Sequence, residues 1–194
     1  LGVNLGEVGF LNAIGPEEAV HEVMREVESL RAGELAVREA PRLVAEAEDW
    51  ESTAAVNEIV LQGSHRGRGG GADLEIRVDG SLFSSGRADG VLAATPTGST
   101  AYNLSEGGSL VHPDVDAIVL NEMCADAGMP PLVVDPDSEI TVRVTGAPEA
   151  HVVVDGRVTR SREPPVTVTI RTAETPVRIA GPDSEFFEAL NKLE

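Results

Sequence analysis

A run of hydroxyl side chains beside one tyrosine is the part of this sequence best suited to chemistry. Thr95, Thr97, Ser99 and Thr100 follow an apolar segment at a Pro/Gly turn, and Tyr102, the only tyrosine in the chain, comes directly after them. Hydroxyls donate and accept hydrogen bonds, and an aromatic ring stacks on a flat group. The segment fits either an ordinary capped turn or a nucleoside pocket, and the residues alone leave both readings open.

The turn itself predicts where hydrogen-bond donors are available. Thr97 stands where a helix cap is wanted, so we expect its hydroxyl to accept a bond from an early N–H of the following turn. The first N–H groups of that turn are then expected to remain free for an oxygen or ring nitrogen of a ligand. Ser99, Thr100 and Ser105 add further polar groups.

A second polar pair, Asn57-Glu58, interrupts an apolar strand at 54–61. Adjacent strand residues point to opposite faces, so one of the two is expected to face the core or a cleft. A buried carboxylate is costly without a partner, and an amide beside a carboxylate suits an adenine edge and a ribose diol. The alternative is an edge strand with Glu58 in solvent. Asp89, directly before another apolar strand, is either a ligand contact or a turn residue.

Other polar motifs are weaker signals. The glycine-rich segment 65–71 carries two arginines that could hold an anion, although a solvated loop is the simpler reading. Asp155-Gly156 follows an apolar strand and reads most simply as a hairpin turn. The four histidines have no metal-ligand spacing, and the sequence has no P-loop. We therefore expect no metal ligands in this chain.

The elements that must position these residues are mostly strands. A helix is predicted from Gly15-Pro16-Glu17-Glu18 to Gly33, with one apolar face buried. That face carries Val20, Val23, Met24, Val27 and Leu30. Strands are predicted at 35–38, 42–47, 54–62, 73–79, 90–94, 131–134, 139–145, 151–154, 166–171 and 176–180. A short helix is expected near 99–105 and another at 185–193. One helix, many closely spaced strands and a terminal helix predict a mainly β, two-sheet β-sandwich.

The composition narrows the class of partner. The net charge is −18, and Lys192 is the one lysine among 15 basic residues. Such a chain is repelled by nucleic acid and anionic membranes, and its acidic surface predicts adaptation to high salt. The lone Cys124 predicts a small buried residue in a reducing, cytoplasmic compartment. The chain begins with Leu1, which we interpret as the start of a fragment.

At these residues the chain resembles the NAD kinase family, which phosphorylates NAD to NADP with ATP or polyphosphate. Residues 89–105 resemble that family's most specific motif: Asp-Gly-x-x-x-x-Thr-Pro-Thr-Gly-Ser-Thr-Ala-Tyr-Asn-Leu-Ser. Shorter matches occur in the family's order. They are Gly2–Leu11, Asn57-Glu58, Gly107-Gly108 with His112-Pro113, Val154-Asp155-Gly156 and the ending 186–193.

The resemblance implies a role for each matched position. Phe10 and Leu11 would line the adenine side, and Asn57 and Glu58 would contact the adenosine half, with Glu58 near ribose hydroxyls. The remaining positions fall into two groups. Thr97, Thr100, Ala101 and Tyr102 would surround the adenosine and the bend of the dinucleotide, and Asp89 and Ser105 would lie toward the nicotinamide riboside.

The resemblance also implies an organisation. Residues 1–14 would end an upstream α/β domain or its linker, 15–180 would form the β-rich NAD-binding domain, and 181–194 a helical tail. The family's upstream Gly-Gly-Asp-Gly segment, whose aspartate is the expected base, is absent from this sequence. We therefore expect the upstream α/β domain to be missing from this chain and the chain alone to be inactive. NAD is expected as substrate, with ATP or polyphosphate and Mg²⁺ acting in the full-length protein.

Residues 121–130 depart from the family pattern, which leaves a contact between subunits in doubt. A homodimer or tetramer is nevertheless implied. Two alternatives to the kinase stay open: a non-catalytic NAD(P)-binding module of the same fold, and a lipid-kinase relative.

Overall fold

The computed structural model describes residues 1–3, 14–67, 70–181 and 186–190. The chain divides into two compact units, one formed by 1–40 with 176–194 and the other by 41–175. The larger unit contains two six-stranded antiparallel sheets. The predicted mainly β, two-sheet architecture is confirmed. The domain boundaries at 14 and 180 stay a prediction.

The elements of the described residues follow in chain order. They are α1 (Ala19–Ala32), β1 (Val37–Ala40), β2 (Leu43–Ala47), β3 (Trp50–Glu51), β4 (Glu58–Gly63), β5 (Ala72–Val78), β6 (Ser81–Ala88), β7 (Gly90–Ala94), a 3₁₀ turn (Gly98–Thr100), α2 (Tyr102–Ser105), β8 (Ile118–Met123), β9 (Leu132–Val134), β10 (Ile140–Thr145), β11 (Ala150–Val154), β12 (Arg157–Arg162), β13 (Val166–Thr172), β14 (Val177–Ala180) and α3 (Phe186–Leu190).

The two sheets differ in what covers them. The first has the order β3-β2-β13-β10-β5-β6, and the second has β12-β11-β4-β7-β8-β9. Alternate residues of both, such as Ile59 and Ile140, form one apolar core between the sheets. The opposite face of the second sheet has its own cluster, in which Val60 and Leu92 pack with Val111 and Ala117. Strand β4 is therefore buried throughout, with the segment after β7 lying on its outer face.

Two Asp-Gly pairs form hairpin turns, and the turn predicted at Asp155-Gly156 is one of them. Asp79-Gly80 joins β5 to β6, and Asp155-Gly156 joins β11 to β12. Both residues of each turn have positive φ, 49° and 78° in the first and 45° and 75° in the second. This is the backbone of a two-residue hairpin whose twist matches its strands.

In the smaller unit, α1 ends as predicted at Gly33, which has φ 77°. The expected burial of its apolar face is wrong. None of its residues is buried, and Val20 and Leu30 are 73% and 62% exposed. Helical spacing of apolar residues shows that a helix has a face that favours burial, but it does not identify what covers that face. In the same unit, β1 pairs with β14.

Cys124 also departs from the prediction, because it is exposed rather than buried. It follows β8 with φ 49°, and a left-handed residue at a strand end belongs to a turn rather than to a core. None of the helices in the described residues has the length and apolar character needed to cross a membrane.

The excess of carboxylates leads to a prediction about salt. The chain has 33 acidic and 15 basic residues, so the folded state repels itself at low ionic strength. We expect the melting temperature at pH 7 to rise steeply as NaCl increases from about 0.1 M to about 2 M, because salt screens this repulsion. Circular dichroism measures the change. A smaller effect nearer the isoelectric point of about 4.5 is the control, and full stability without added salt contradicts the prediction.

Candidate functional site

The outer face of the second sheet presents polar groups at one end of β4. Because side chains alternate, Glu58, Val60 and Gln62 share this face. Val60 belongs to the outer apolar cluster, against which the ring of Tyr102 packs. Of the Asn57-Glu58 pair, Glu58 is therefore the residue that turns inward, and it is 5% exposed. The alternative reading of Glu58 as a solvated edge residue is wrong.

Asp155 fixes the start of this strand. Its carboxylate accepts hydrogen bonds from the backbone N–H groups of Val56, Asn57 and Glu58, at 2.9, 2.8 and 3.2 Å. Glu58 accepts a further bond through its carbonyl from the N–H of Asp155 at 3.1 Å. The sequence marked Asp155 as a turn residue. Its second task, the orientation of Asn57 and Glu58, depends on a contact across almost a hundred residues.

Removing this carboxylate should loosen the strand end. Asp155→Gly keeps a residue that tolerates the positive φ, so its effect isolates the lost bonds. We expect the free energy of unfolding to fall by about 2 kcal/mol. A hydrogen bond to a charged group is worth about 1.5–3 kcal/mol, but Asp155 is exposed, so solvent reduces the contribution of each of its bonds. Asp155→Asn keeps one acceptor oxygen and should lose less. Denaturant titration in high salt measures both, and equal stability of Asp155→Gly and the wild type contradicts the prediction.

The turn after β7 is held to the same strand end by Thr95. Its hydroxyl donates to the Val56 carbonyl at 2.7 Å, and its N–H donates to the Asn57 carbonyl at 2.9 Å. The same hydroxyl accepts the N–H of Gly98 at 3.0 Å. Thr95 therefore caps this turn. The prediction that Thr97 does so is wrong, because the side chain of Thr97 makes no capping bond.

The expectation of free N–H groups in the first turn is also largely wrong. The N–H of Gly98 is used by Thr95, that of Ser99 bonds the Thr95 carbonyl, and that of Ala101 bonds the Gly98 carbonyl. The N–H of Tyr102 is close enough to the Glu58 carboxyl to lower the pKa of that group. The backbone of this turn is therefore committed to the protein, and the groups left for a ligand are side chains.

Like Asn103 with its Oδ1, Glu58 carries a buried oxygen that nothing in the described part of the chain satisfies. Its Oε2 is buried and has no hydrogen-bond partner among the described residues. Burial raises the pKa of Glu58 to about 7, and the nearby Asp155 carboxylate adds to the rise, while the bond from the Tyr102 N–H opposes it. A buried carboxyl with an unpartnered oxygen can accept hydrogen bonds from the hydroxyl groups of a bound molecule.

Tyr102 lies between Glu58 and Arg66, a residue that the sequence placed either in a solvated loop or at an anion site. Its hydroxyl accepts a hydrogen bond from Nη1 of Arg66 at 2.9 Å, and the guanidinium carbon is 6.0 Å from the ring centroid. Nη2 of Arg66 donates to Oε1 of Gln62. The nearby Glu106 carboxylate raises the pKa of the Tyr102 hydroxyl, after the larger effect of burial. Arg66 is thus part of the site.

Asp89 secures that segment. Both of its carboxylate oxygens accept the N–H of Gly67, at 2.9 and 3.0 Å. A cleft of about 380 Å³ lies beside Asp89, and Arg87, Cys124 and Asp126 contribute to its lining. The sequence offered two roles for Asp89, ligand contact and turn residue. The structure adds a third that sequence reasoning missed, because Asp89 holds the backbone of the loop at Gly67.

The other predicted residues surround this arrangement with different exposure. Asn57 and Ala101 are half-buried, Ser105 is exposed, and the Asn57 side-chain amide has no partner in the described part of the chain. Thr100 is 2% exposed, and its hydroxyl donates to the carbonyl of Thr97, itself half-buried. Phe10 and Leu11 lie outside the described residues.

Two buried amides that sequence analysis passed over shape the turn. Asn103 donates to the Ser99 and Ser109 carbonyls, both at 3.0 Å, and Asn121 donates to the Glu106 carbonyl at 3.1 Å. They fix the segment that follows Tyr102. No cluster of three or more potential metal ligands occurs among the described histidine, cysteine, aspartate and glutamate residues.

Comparison with known proteins gives this geometry a family. The family described as the ATP-NAD kinase C-terminal domain matches residues 56–181. The NAD kinase of Halorubrum lacusprofundi is 58% identical over 193 residues, which is 100% of this chain and 70% of that protein. The NAD kinase of Haloarcula marismortui is 57% identical over 194 residues, covering 100% of this chain and 69% of that protein. These relatives fit the predicted adaptation to salt.

Solved structures agree. Yeast NADH kinase complexed with NADH superposes with a TM-score of 0.81 and 26% identity, covering 98% of this chain and 57% of that one. An NAD kinase from Archaeoglobus fulgidus in complex with ATP gives 0.80 and 28%, covering 100% and 74%. The family match, the relatives and these folds lead to one conclusion: the chain belongs to the NAD kinase family.

Proposed function

We propose that this chain binds NAD by its adenosine half at the end of β4, and so holds the acceptor substrate of an NAD kinase. The observation that carries the proposal is the buried Glu58 carboxyl with its unpartnered Oε2. It lies next to the half-buried Asn57, whose amide is also open. The two hydroxyls of a ribose diol donate hydrogen bonds, which the Glu58 carboxylate can accept. An adenine edge presents one donor and one acceptor, which the Asn57 amide can match.

The other positions take the roles that the resemblance gave them. Tyr102 offers a ring face and Ala101 a small contact, with Thr97 and Thr100 beside them. Asp89 and Ser105 face the nicotinamide riboside in this proposal. Each of these is testable by substitution.

In the full-length protein, the reaction transfers a phosphoryl group to the adenosine 2′-hydroxyl. Our proposal gives this chain the positioning of that hydroxyl, which is a large part of catalysis in phosphoryl transfer. The described residues offer no cluster of three potential metal ligands, so we assign no Mg²⁺ ligands here. ATP or polyphosphate would donate the phosphoryl group, and it would be bound by residues other than those of this site.

Binding of NAD to the chain tests the proposal directly. Tyr102→Ala should weaken binding by about 1–2 kcal/mol through loss of stacking. Asn57→Ala should also weaken it while leaving the melting temperature unchanged, because its amide has no partner in the described protein. Calorimetric titration in high salt measures both. A wild-type chain that binds no NAD, or two variants that bind as well as wild type, contradicts the proposal.

Three further expectations belong to the same proposal. The chain alone should not convert NAD to NADP, since its sequence has no Gly-Gly-Asp-Gly segment; turnover by a pure sample would contradict this. We also propose a homodimer or tetramer, which sedimentation measures. The cytoplasmic location stays a prediction.

A further inference from the structure

We infer that Arg66 is a ligand-binding residue of this site, where its guanidinium donates hydrogen bonds to an oxygen of the diphosphate that links the two halves of the dinucleotide. The inference rests on the proposed function, since it presumes that adenosine binds at Glu58. Arg66 belongs to the glycine-rich segment, which lies outside the residues matched by the family motif around Tyr102.

The first observation is the chemistry of its partners. Arg66 donates to the Tyr102 hydroxyl and to the Gln62 amide oxygen, both of which are neutral acceptors. By contrast, arginines such as Arg162 and Arg171 bond carboxylates directly. Within the described part of the chain, no carboxylate lies within 4.0 Å of the Arg66 guanidinium. Because neither partner of Arg66 is charged, its positive charge stays available to an anion.

The second observation is the orientation of the guanidinium. A guanidinium has five N–H donors in a planar fork. The bonds to Tyr102 and Gln62 use one on each terminal nitrogen, which leaves donors on the exposed part of the group. The bonds from Gly67 to Asp89 hold the backbone next to Arg66, and the bonds to Tyr102 and Gln62 orient the guanidinium itself.

The third observation is distance along the sheet. Glu58 and Gln62 are four residues apart on β4, which corresponds to about 13 Å at the rise of a strand. The ring of Tyr102 runs between them, with its N–H at the Glu58 carboxyl and its hydroxyl at Arg66. In the proposed pose, a nucleoside whose ribose hydroxyls meet Glu58 points its 5′ side toward Arg66. Phosphate oxygens at that position match the remaining guanidinium donors.

A ligand series tests this assignment. Arg66→Ala should weaken NAD and 5′-AMP binding by about tenfold or more, as expected for a lost charged hydrogen bond, and leave adenosine within about twofold. Arg66→Lys should recover part of the loss, because it keeps the charge but not the fork. Arg143→Ala, at an exposed position on β10 of the other sheet, makes the same change in net charge and should leave all three affinities unchanged.

A spectroscopic readout tests the contact without ligand. Tyr102 is the only tyrosine, so tyrosinate absorbance reports this residue alone. Burial and the Glu106 carboxylate raise the pKa of Tyr102, and Arg66 opposes that rise. Arg66→Ala should therefore move the titration to higher pH, whereas Arg143→Ala should not.

The outcomes separate the two proposals. If the wild type binds no NAD, the proposed function fails, and the assignment of Arg66 fails with it. If NAD binds but Arg66→Ala weakens adenosine as much as NAD, Arg66 only supports Tyr102 and the assignment alone is overturned. In a further titration with 2′-AMP, a loss of affinity confined to that ligand would show that Arg66 lies near the 2′ side of the ribose, and this would also overturn the assignment. An unmoved tyrosinate titration would show that Arg66 does not contact Tyr102.

Discussion

Replacing Gly98 with alanine is expected to lower the free energy of unfolding by about 3 kcal/mol or more, at the upper end of overpacking costs. A Cβ at this position would overlap the carbonyl oxygen and carbon of Asn57. These are backbone atoms, and the strand end cannot retreat. Thr95 bonds the carbonyls of Val56 and Asn57 from one side, and Asp155 holds the N–H groups of the same residues from the other.

The displaced element would be the turn that carries Tyr102, so NAD binding should weaken by more than about tenfold beyond any loss of folded protein. Gly107→Ala is the matched control in the same segment. Its φ is 76°, and a Cβ there would meet nothing within 4 Å, so only the left-handed strain of about 1 kcal/mol applies. Denaturant titration and calorimetry measure the pair. Equal losses in the two variants would show that the contact between Gly98 and Asn57 yields easily.

The parts of the fold that the sequence predicted are those decided locally. The Asp-Gly turn at 79–80 is specified by two residues that tolerate positive φ. Strand β6, which that turn creates, escaped prediction because it is an edge strand with mostly exposed side chains. Its pairing with β5, rather than its own apolar pattern, makes it a strand. The same holds for β12, whose sequence Arg-Val-Thr-Arg-Ser-Arg has little to bury.

Residue types predicted the candidate site better than residue positions predicted its contacts. The amide–carboxylate pair at 57–58 and the tyrosine turn do lie together, since β4 and β7 are neighbouring strands with Glu58 opposite Ala94. The cap bond to the 3₁₀ turn comes from Thr95, two residues before the predicted Thr97, although the turn itself starts directly after Thr97. The contacts of Arg66 with Tyr102 and of Asp155 with the β4 end span 36 and about 98 residues, distances over which spacing carries no signal.

The second large effect concerns Glu58, where stability and binding should change in opposite directions. Its pKa in the folded chain is about 7, above the ordinary 4.5. Between these two values the folded state keeps a proton that the unfolded chain has lost, so stability falls as pH rises through this window. Above pH 7 the penalty is complete, at about 3 kcal/mol from a shift of this size. Glu58→Gln cannot ionise, so at pH 8 it should be more stable than wild type by up to that amount.

The same substitution should weaken NAD binding at pH 8 by about tenfold or more, because an amide accepts ribose hydroxyl protons less well than a carboxylate. Wild-type affinity should rise with pH near 7, as Glu58 ionises, and Glu58→Gln should lack that rise. Unfolding and binding titrations from pH 5 to pH 8 in high salt measure both profiles; the difference between variants cancels the other titrating groups.

Glu122→Gln is the matched control for Glu58→Gln, because its carboxylate lies on β8 of the same sheet but is satisfied. Its oxygens accept bonds from the Ser84 hydroxyl and the Met129 N–H, both at 2.9 Å. An amide can replace only one of these acceptors, so Glu122→Gln should be less stable than wild type. If Glu58→Gln also lost stability at pH 8, its Oε2 would have to be bonded in solution. A gain in stability with a loss of NAD binding would instead show that Glu58 lowers the stability of the folded chain and raises its affinity for the ligand.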